Sequence, residues 1–142
     1  MKLLWVVGTA LLFISPLHAA QSDQPEAAVV VKQVASTTVT ASGQPITLPQ
    51  KDVHVVVSTF EIPAGANLPE HKHPFARYAY VMAGTLRVTN TETGKSETYK
   101  QGDFIVEAID QWHKAANIGA DAVKLVVIDQ VEGEQGNTVL RP

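Results

Sequence analysis

Residues 65–84 read GANLPEHKHPFARYAYVMAG, and this stretch carries the clearest structural signal in the chain. Its aromatic and apolar run at 77–82 is typical of a β-strand, and Ala83-Gly84 then predicts a tight turn. Residues 85–89 alternate polar and apolar side chains, as a strand with one buried face does. The stretch therefore predicts two consecutive strands, preceded by a histidine-rich segment.

The rest of the chain repeats this short-strand pattern. Gly- or Pro-containing turns separate β-branched or apolar runs at 29–31, 37–40, 53–61, 104–106 and 123–128. No window beyond the N-terminal segment shows a sustained apolar stripe with the helical period. Strands at this spacing predict an all-β sandwich or barrel. Exposed edge strands in such a barrel would allow a homodimer.

Composition excludes several classes of function. The 142 residues suffice for one domain. They include 11 Lys and Arg against 14 Asp and Glu, a net charge of −3 that argues against nucleic acid as a partner. The absence of Cys excludes disulfide frameworks, thiolate metal sites and Cys nucleophiles.

The N-terminus has the layout of a secretory signal peptide. Lys2 precedes an uncharged, mostly apolar run at 3–14, Pro16 breaks it, and Ala19-Ala20 offers a cleavage site. We predict a signal peptide at 1–20, a flexible leader at 21–28, a barrel at 29–131 and a C-terminal tail at 132–142. The mature protein would be periplasmic or secreted, without stable membrane insertion. The alternative is an uncleaved N-terminal anchor.

The histidines provide the strongest chemical signal. His71 and His73 stand two residues apart, so in a strand both side chains point to the same face. His113 is the candidate third ligand, since two imidazoles do not make a metal site. Neutral imidazole binds Zn, Cu, Fe, Ni or Mn.

We expect His54 to be a partly buried structural residue. Glu107 could pair with a nearby cation, but the default expectation for it is a solvated face. Glu70 could replace a carboxylate ligand, but neighbouring strand residues face opposite sides, so we expect it to point away from His71.

The spacing around the histidine pair resembles a known motif. Gly65, His71, His73, Arg77 and Gly84 are separated by five, one, three and six residues. This matches the first motif of the cupin superfamily, G-x5-H-x-H-x3-E-x6-G, except that Arg77 stands at the Glu position.

A second stretch resembles the other cupin motif, G-x5-P-x-G-x2-H-x3-N. Gly102, His113 and Asn117 keep its spacing, whereas Ala108 and Asp110 replace its Pro and Gly. The resemblance implies a double-stranded β-helix, that is, a single jelly-roll cupin barrel. It also implies one divalent metal ion inside the barrel, held by His71, His73 and His113.

Arg77 decides between two interpretations of the site. A guanidinium cannot ligate a cation, and inside the barrel it would repel a metal unless a carboxylate or an anionic ligand lay between them. The site is therefore either a three-histidine metal site or a barrel that has lost its metal, and we favour the first. Arg77 would then clamp the carboxylate of a small anionic ligand.

The resemblance supports two classes of function. The first is a metal-dependent enzyme, for instance of the dioxygenase type found among three-histidine cupins, acting on a small anionic molecule. The alternative is a non-catalytic module that binds or senses a small molecule or a metal. If the protein folds after export, nitrogen ligands favour Zn or Cu over Fe(II) at the site.

Overall fold

The computed structural model describes residues 27–142, so the predicted signal peptide and nearly all of the predicted leader lie outside the described residues. Residues 27–142 contain strands, turns and irregular segments, and no helix among them could cross a membrane. The strands are β1 (Val53–Ile62), β2 (Asn67–Lys72), β3 (Arg77–Ala83), β4 (Thr85–Asn90), β5 (Ser96–Lys100), β6 (Phe104–Val106), β7 (His113–Asn117), β8 (Val123–Glu132) and β9 (Val139–Leu140).

The strands form two sheets. One has the order β1-β8-β3-β6 and the other has the order β5-β4-β7-β2-β9. All neighbouring strands within them are antiparallel. Consecutive strands alternate between the sheets in much of the chain, as in a jelly roll. The structure thus confirms the predicted all-β jelly-roll barrel.

The core lies between the two sheets. Along β8 buried and less buried residues alternate strictly, because successive side chains of a strand point to opposite faces. The central apolar cluster is small and largely aliphatic: Ile62, Ala79, Val81, Leu86, Ile105, Ala115, Val123, Leu125 and Val127. Part of this cluster, including Leu125 and Val127, borders a small cavity that His71 also lines.

Gly84 makes the turn between β3 and β4 possible. Its φ of 83° lies in the left-handed region. A Cβ at this position would come within 2.8 Å of the Ala122 carbonyl oxygen and of Val123 Cα. Only glycine fits, because both the backbone angle and the neighbouring backbone exclude a side chain.

The chain before β1 differs from the prediction. Residues 29–31 are exposed and form no strand, and the predicted strand at 37–40 contributes only an isolated bridge between Val39 and Pro45. β-Branched composition alone does not supply the cross-strand partners that stabilise a strand. The segment around this bridge nevertheless contacts the barrel, since Ala41 N donates to the Val106 carbonyl at 2.8 Å.

The end of the chain also departs from the expected tail. β8 extends to Glu132, and Val139–Leu140 forms β9 against β2. The side chain of Asn137 is buried. The barrel therefore extends past the predicted boundary at residue 131, because β2 offers an edge that this segment can pair with.

Candidate metal centre

Two adjacent strands bring the histidines together. His71 lies near the end of β2 and His113 begins β7, and the two residues are direct partners in the antiparallel pairing of these strands. His73 is the first residue after β2 and stands two positions from His71, so both side chains point into the barrel. The ring centroids of the three histidines are 4.4–4.9 Å apart. The structure thus brings together all three histidines singled out in the sequence.

Glu107 completes the cluster. It follows β6 immediately and has the inward parity of Ile105, which places its carboxylate beside the rings. One ligand atom from each of His71, His73, Glu107 and His113 lies within 4.8 Å of the others. The expectation of a solvated face for Glu107 is wrong, since only 15% of its side chain is exposed. The missed signal was this parity, in a strand that is otherwise apolar.

Each histidine ring is fixed through its Nδ1 atom. His71 Nδ1 donates to the Pro69 carbonyl at 2.7 Å, and His113 Nδ1 donates to the Gln111 carbonyl at 2.9 Å. His73 Nδ1 donates to the Asn137 carbonyl at 2.5 Å. Because a carbonyl oxygen can only accept, each Nδ1 carries a proton. In the neutral ring the Nε2 lone pair is then directed into the cluster.

The Nε2 atoms lack a suitable donor. Glu107 Oε2 lies 3.2 Å from His73 Nε2 and 3.0 Å from His113 Nε2. A carboxylate cannot donate to a lone pair, so neutral rings would leave these contacts unsatisfied. The buried His113 Nε2 has no well-aligned hydrogen bond within the described structure. A cation between the four groups would satisfy all of them.

The electrostatics of the site follow from burial and mutual contact. Burial lowers the pKa of His71 and so favours its neutral, ligating form. Burial opposes the charge of Glu107, but the His113 and His73 rings outweigh that effect and hold its pKa well below its usual range. Burial also lowers the pKa of His113, yet the Glu107 carboxylate outweighs it and the pKa is raised. An ionised carboxylate therefore stands among imidazoles.

The donor set fits a divalent metal ion. Three imidazole nitrogens and one carboxylate oxygen suit Zn, Fe, Mn, Ni or Cu. Carbonyl acceptors behind histidine ligands are the usual arrangement that fixes ring orientation and tautomer. The cluster could therefore bind one metal ion.

Arg77 faces the interior, but its charge is matched. With His71 and Glu107 it lines a cavity of about 20 Å³ inside the barrel. Its Nε donates to Asp129 Oδ1 at 2.9 Å and its Nη2 donates to Asp129 Oδ2 at 2.8 Å. The proposed clamp on a ligand carboxylate remains a prediction, and this pairing argues against it because Asp129 already uses one edge of the guanidinium.

The other candidate ligands lie elsewhere. His54 is exposed on β1 and stands outside the cluster. Glu70 points away from the barrel interior. Its carboxylate pairs with Arg141 at 2.6 Å and accepts a hydrogen bond from Thr91. The exposure of His54 differs from the partly buried position expected for it, although His54 is no ligand of the cluster. The placement of Glu70 agrees with the expectation that it faces away from His71.

A larger cavity opens beside the cluster. Its volume is about 180 Å³, and both Glu107 and His113 line it. The wall is mainly apolar but includes the side chain of Asn90, the strand partner of His113. On the edge strand β5, Glu97 pairs with Lys95 at 2.5 Å and accepts a hydrogen bond from Tyr99 at 2.5 Å. A small organic molecule in this cavity would touch the candidate metal centre directly.

Comparison with known proteins agrees with this architecture. A family model described as a cupin domain matches residues 58–129. A search of the curated proteins found no match.

Several solved structures resemble this one. The polyketide cyclase RemF from Streptomyces resistomycificus is 19% identical over 62% of this chain and 62% of its own, with a TM-score of 0.52. The cupin domain of Cnp3 from Schizosaccharomyces pombe is 20% identical over 61% of each chain, with a TM-score of 0.51. Oxalate decarboxylase from Bacillus subtilis is 24% identical over 63% of this chain and 24% of its own, with a TM-score of 0.52. The alignments span less than two thirds of these proteins, and at such identities they show the fold alone.

Proposed function

Because this chain belongs to the cupin domain family, we propose that it is an exported cupin that binds one divalent metal ion and transforms a small organic molecule. Three histidines and Glu107 would hold the metal. The observation that carries the proposal is their convergence, with every Nδ1 already donating to a carbonyl and every Nε2 directed inward. Such a preorganised set of lone pairs is costly to bury without a cation.

Glu107 would take the ligand role of the motif glutamate, whose position is occupied by Arg77 in this chain. Arg77 occupies the position of the motif glutamate, and Glu107 reaches the cluster from β6 instead. Arg77 in turn is neutralised by Asp129 at 2.8–2.9 Å. This pairing supports metal binding, because the interior cation is matched by a carboxylate and its repulsion of a metal is reduced.

The number of protein ligands connects metal identity with function. A metal that accepts six ligands, such as Fe or Mn, would keep two positions for exogenous ligands, which favours an enzyme of the dioxygenase type. Tetrahedral Zn would be saturated by four protein groups, as in structural sites. When bound, the metal would supply Lewis acidity and coordination positions that the protein leaves open.

The cavity defines the substrate class that we propose. Its mainly apolar wall, which includes Val88, Ile105 and Ala108, suits an apolar body of modest size. Glu107 is the only charged group that the four ligating residues contribute, so a divalent ion would leave the centre with net positive charge. An anionic group such as a carboxylate or enolate would bind there, next to His113. We therefore propose a small organic acid or enol.

The second candidate is a module that binds without turnover. The polar groups at the cavity edge already satisfy one another, since Lys95 and Tyr99 both contact the Glu97 carboxylate. That arrangement assigns no obvious general acid or base among the described residues. It favours a module that captures a metal or a small ligand.

Metal analysis and oxygen uptake test the proposal together. The protein is purified from its native compartment for elemental analysis, then stripped and reloaded separately with Fe(II), Mn(II) or Zn(II). We expect one metal per chain, and oxygen uptake with small organic acids or enols in the Fe or Mn form only. Stoichiometric Zn without turnover in any form would favour the binding module. A wild-type protein that takes up none of these metals, nor Cu or Ni, would contradict the metal-dependent enzyme and would restrict the binding module to small molecules.

Export is tested on the mature chain. The proposal of a periplasmic or secreted protein rests on residues 1–20, and the expected mature N-terminus lies near residue 21. N-terminal sequencing of protein from fractionated cells should find this cleaved form outside the cytoplasm. An intact N-terminus in a membrane fraction would favour the uncleaved anchor.

A further inference from the structure

The end of the chain lies across the strand that carries the first histidine. Residues 137–141, which we call the C-terminal strap, include β9, and Leu140 pairs with His71 while Val139 pairs with Lys72. Arg141 continues this contact: its backbone N donates to the Glu70 carbonyl at 3.0 Å and its Nη1 contacts Glu70 Oε1 at 2.6 Å. The strap lies beyond residues 58–129, the part matched by the family model.

The first residue of the strap holds a ligand ring. The Asn137 carbonyl accepts from His73 Nδ1 at 2.5 Å, and the His73 ring is completely buried. The position of this carbonyl is fixed by the side chain of the same residue. Asn137 Oδ1 accepts from Phe75 N at 3.0 Å, and Nδ2 donates to Phe75 O at 3.2 Å and to Asp129 Oδ1 at 2.6 Å. All polar atoms of this buried amide thus act in positioning one carbonyl.

Arg77 and Asp129 anchor the strap from the opposite sheet. Asp129 Oδ1 accepts from both Asn137 Nδ2 and Arg77 Nε, while Asp129 Oδ2 accepts from Arg77 Nη2. Arg77 Nη2 also donates to Oγ1 of Thr138, the next residue of the strap, at 3.1 Å. Arg77 therefore touches the strap both directly and through Asp129.

We propose that the C-terminal strap is a positioning element of the metal centre. The Asn137 carbonyl fixes the tautomer and orientation of His73 so that its Nε2 faces the metal, and Arg77 with Asp129 holds Asn137 in place. The arginine at the motif's carboxylate position thus supports a ligand from behind. This inference rests on the proposed metal site for its consequence, whereas the state of the His73 ring can be measured without metal.

The test compares two buried asparagines. Asn137→Ala removes the amide that fixes the carbonyl behind His73. Asn117→Ala is the matched control, because Asn117 is similarly buried and donates hydrogen bonds to Ile62 O and Asp121 O, with none to a histidine. Both variants lose a satisfied buried amide, so a general loss of stability affects both. Arg141→Ala is a third variant, which loosens the strap at the surface and leaves the core intact.

Three readouts separate positioning from stability. Chelator competition gives metal affinity, the visible spectrum of the Co(II) form reports ligand geometry, and long-range ¹H–¹⁵N correlations of the metal-free protein report the His73 tautomer. We expect Asn137→Ala to lower metal affinity about 10–100-fold, as for other groups that orient a ligand. We also expect a changed Co(II) spectrum and a mixed tautomer for His73. Asn117→Ala should retain wild-type values, and Arg141→Ala should lower affinity less than Asn137→Ala.

The outcomes distinguish this inference from the proposed function. Wild-type affinity, spectrum and tautomer in a folded Asn137→Ala variant would overturn the role of the strap while the metal site stands. A wild-type protein that binds no metal would overturn the proposed function. The His73 tautomer would then be the measurement that tests whether the strap positions this ring. If Asn137→Ala does not fold, an Arg141→Ala protein with wild-type metal affinity and a wild-type His73 tautomer would overturn the positioning role of the strap.

Discussion

The guanidinium of Arg77 and the carboxylate of Asp129 form a buried two-point ion pair across β3 and β8, with contacts of 2.9 and 2.8 Å. The two residues are also direct partners in the pairing of these strands. A charge that the sequence places beside the candidate metal centre is therefore already matched within the barrel. The pair explains how an arginine can occupy the position of a motif carboxylate in a domain whose candidate ligands converge.

Breaking this ion pair should destabilise the fold. Because both side chains are nearly buried, Arg77→Ala leaves the Asp129 carboxylate without its partner, and we expect the free energy of unfolding to fall by about 3–5 kcal/mol. Replacing both partners, as Arg77→Met with Asp129→Leu, should cost less than either single change. Urea unfolding of the metal-free proteins measures the three differences.

The exposed pair Lys124–Glu61, with a separation of 3.7 Å, is the control for the ion-pair prediction. Lys124→Ala should change stability little, because solvent screens both charges. Equal losses for Lys124→Ala and Arg77→Ala would contradict the importance of burial.

The four ligating residues should act as one site. His71→Ala, His73→Ala and His113→Ala should each abolish stoichiometric metal, since the remaining groups bind a cation weakly. Glu107→Gln keeps the volume but removes the charge, and we expect it to weaken binding by more than about 100-fold, beyond the usual effect of a group that only orients a ligand. Metal content after chelator competition is the measurement, and His54→Ala should behave as wild type. Full metal content in Glu107→Gln would reduce the centre to its three histidines.

Metal binding should depend on pH with a defined sign. Ligation needs neutral imidazole, and the raised pKa of His113 means that protons compete at a higher pH than for an ordinary histidine. In the metal-free protein the same raised pKa contributes stability that is fully present below the unfolded pKa, near 6.5, and is lost as pH rises through the folded value. The increase in melting temperature caused by metal should therefore grow from about pH 5 to pH 8. A metal-induced increase that is constant over this range would count against His113 as a ligand.

Two glycines with similar backbone angles separate strain from steric overlap. Gly84 and Gly94 have φ values of 83° and 75°, but only at Gly84 would a Cβ meet neighbouring atoms. Gly94→Ala should cost about 1 kcal/mol for the backbone alone. Gly84→Ala should cost about 2–4 kcal/mol, because overlap with Ala122 and Val123 adds to this. Thermal unfolding compares them, and equal costs would show that the β3–β4 turn can relax.

The sequence by itself determined the fold class and three of the four candidate ligands. Strand alternation has a period of two residues, so the facing of His71 and His73 can be read locally. The motif spacing added His113, which the structure places directly opposite His71. Turn glycines such as Gly84 can also be recognised in the sequence, because glycine is the residue that readily adopts a positive φ.

The tertiary structure alone decided the partners of the remaining groups. Arg77 and Asp129 are 52 residues apart, and His73 and Asn137 are 64 apart, so no local period relates them. Their meeting depends on how β3, β8 and the C-terminal strap are arranged across two sheets. Glu107 has a local parity, but whether that parity faces the histidines or solvent depends on the strands opposite. Side-chain direction is set by the backbone period, whereas charge compensation is set by packing between distant strands, and only the folded barrel contains that information.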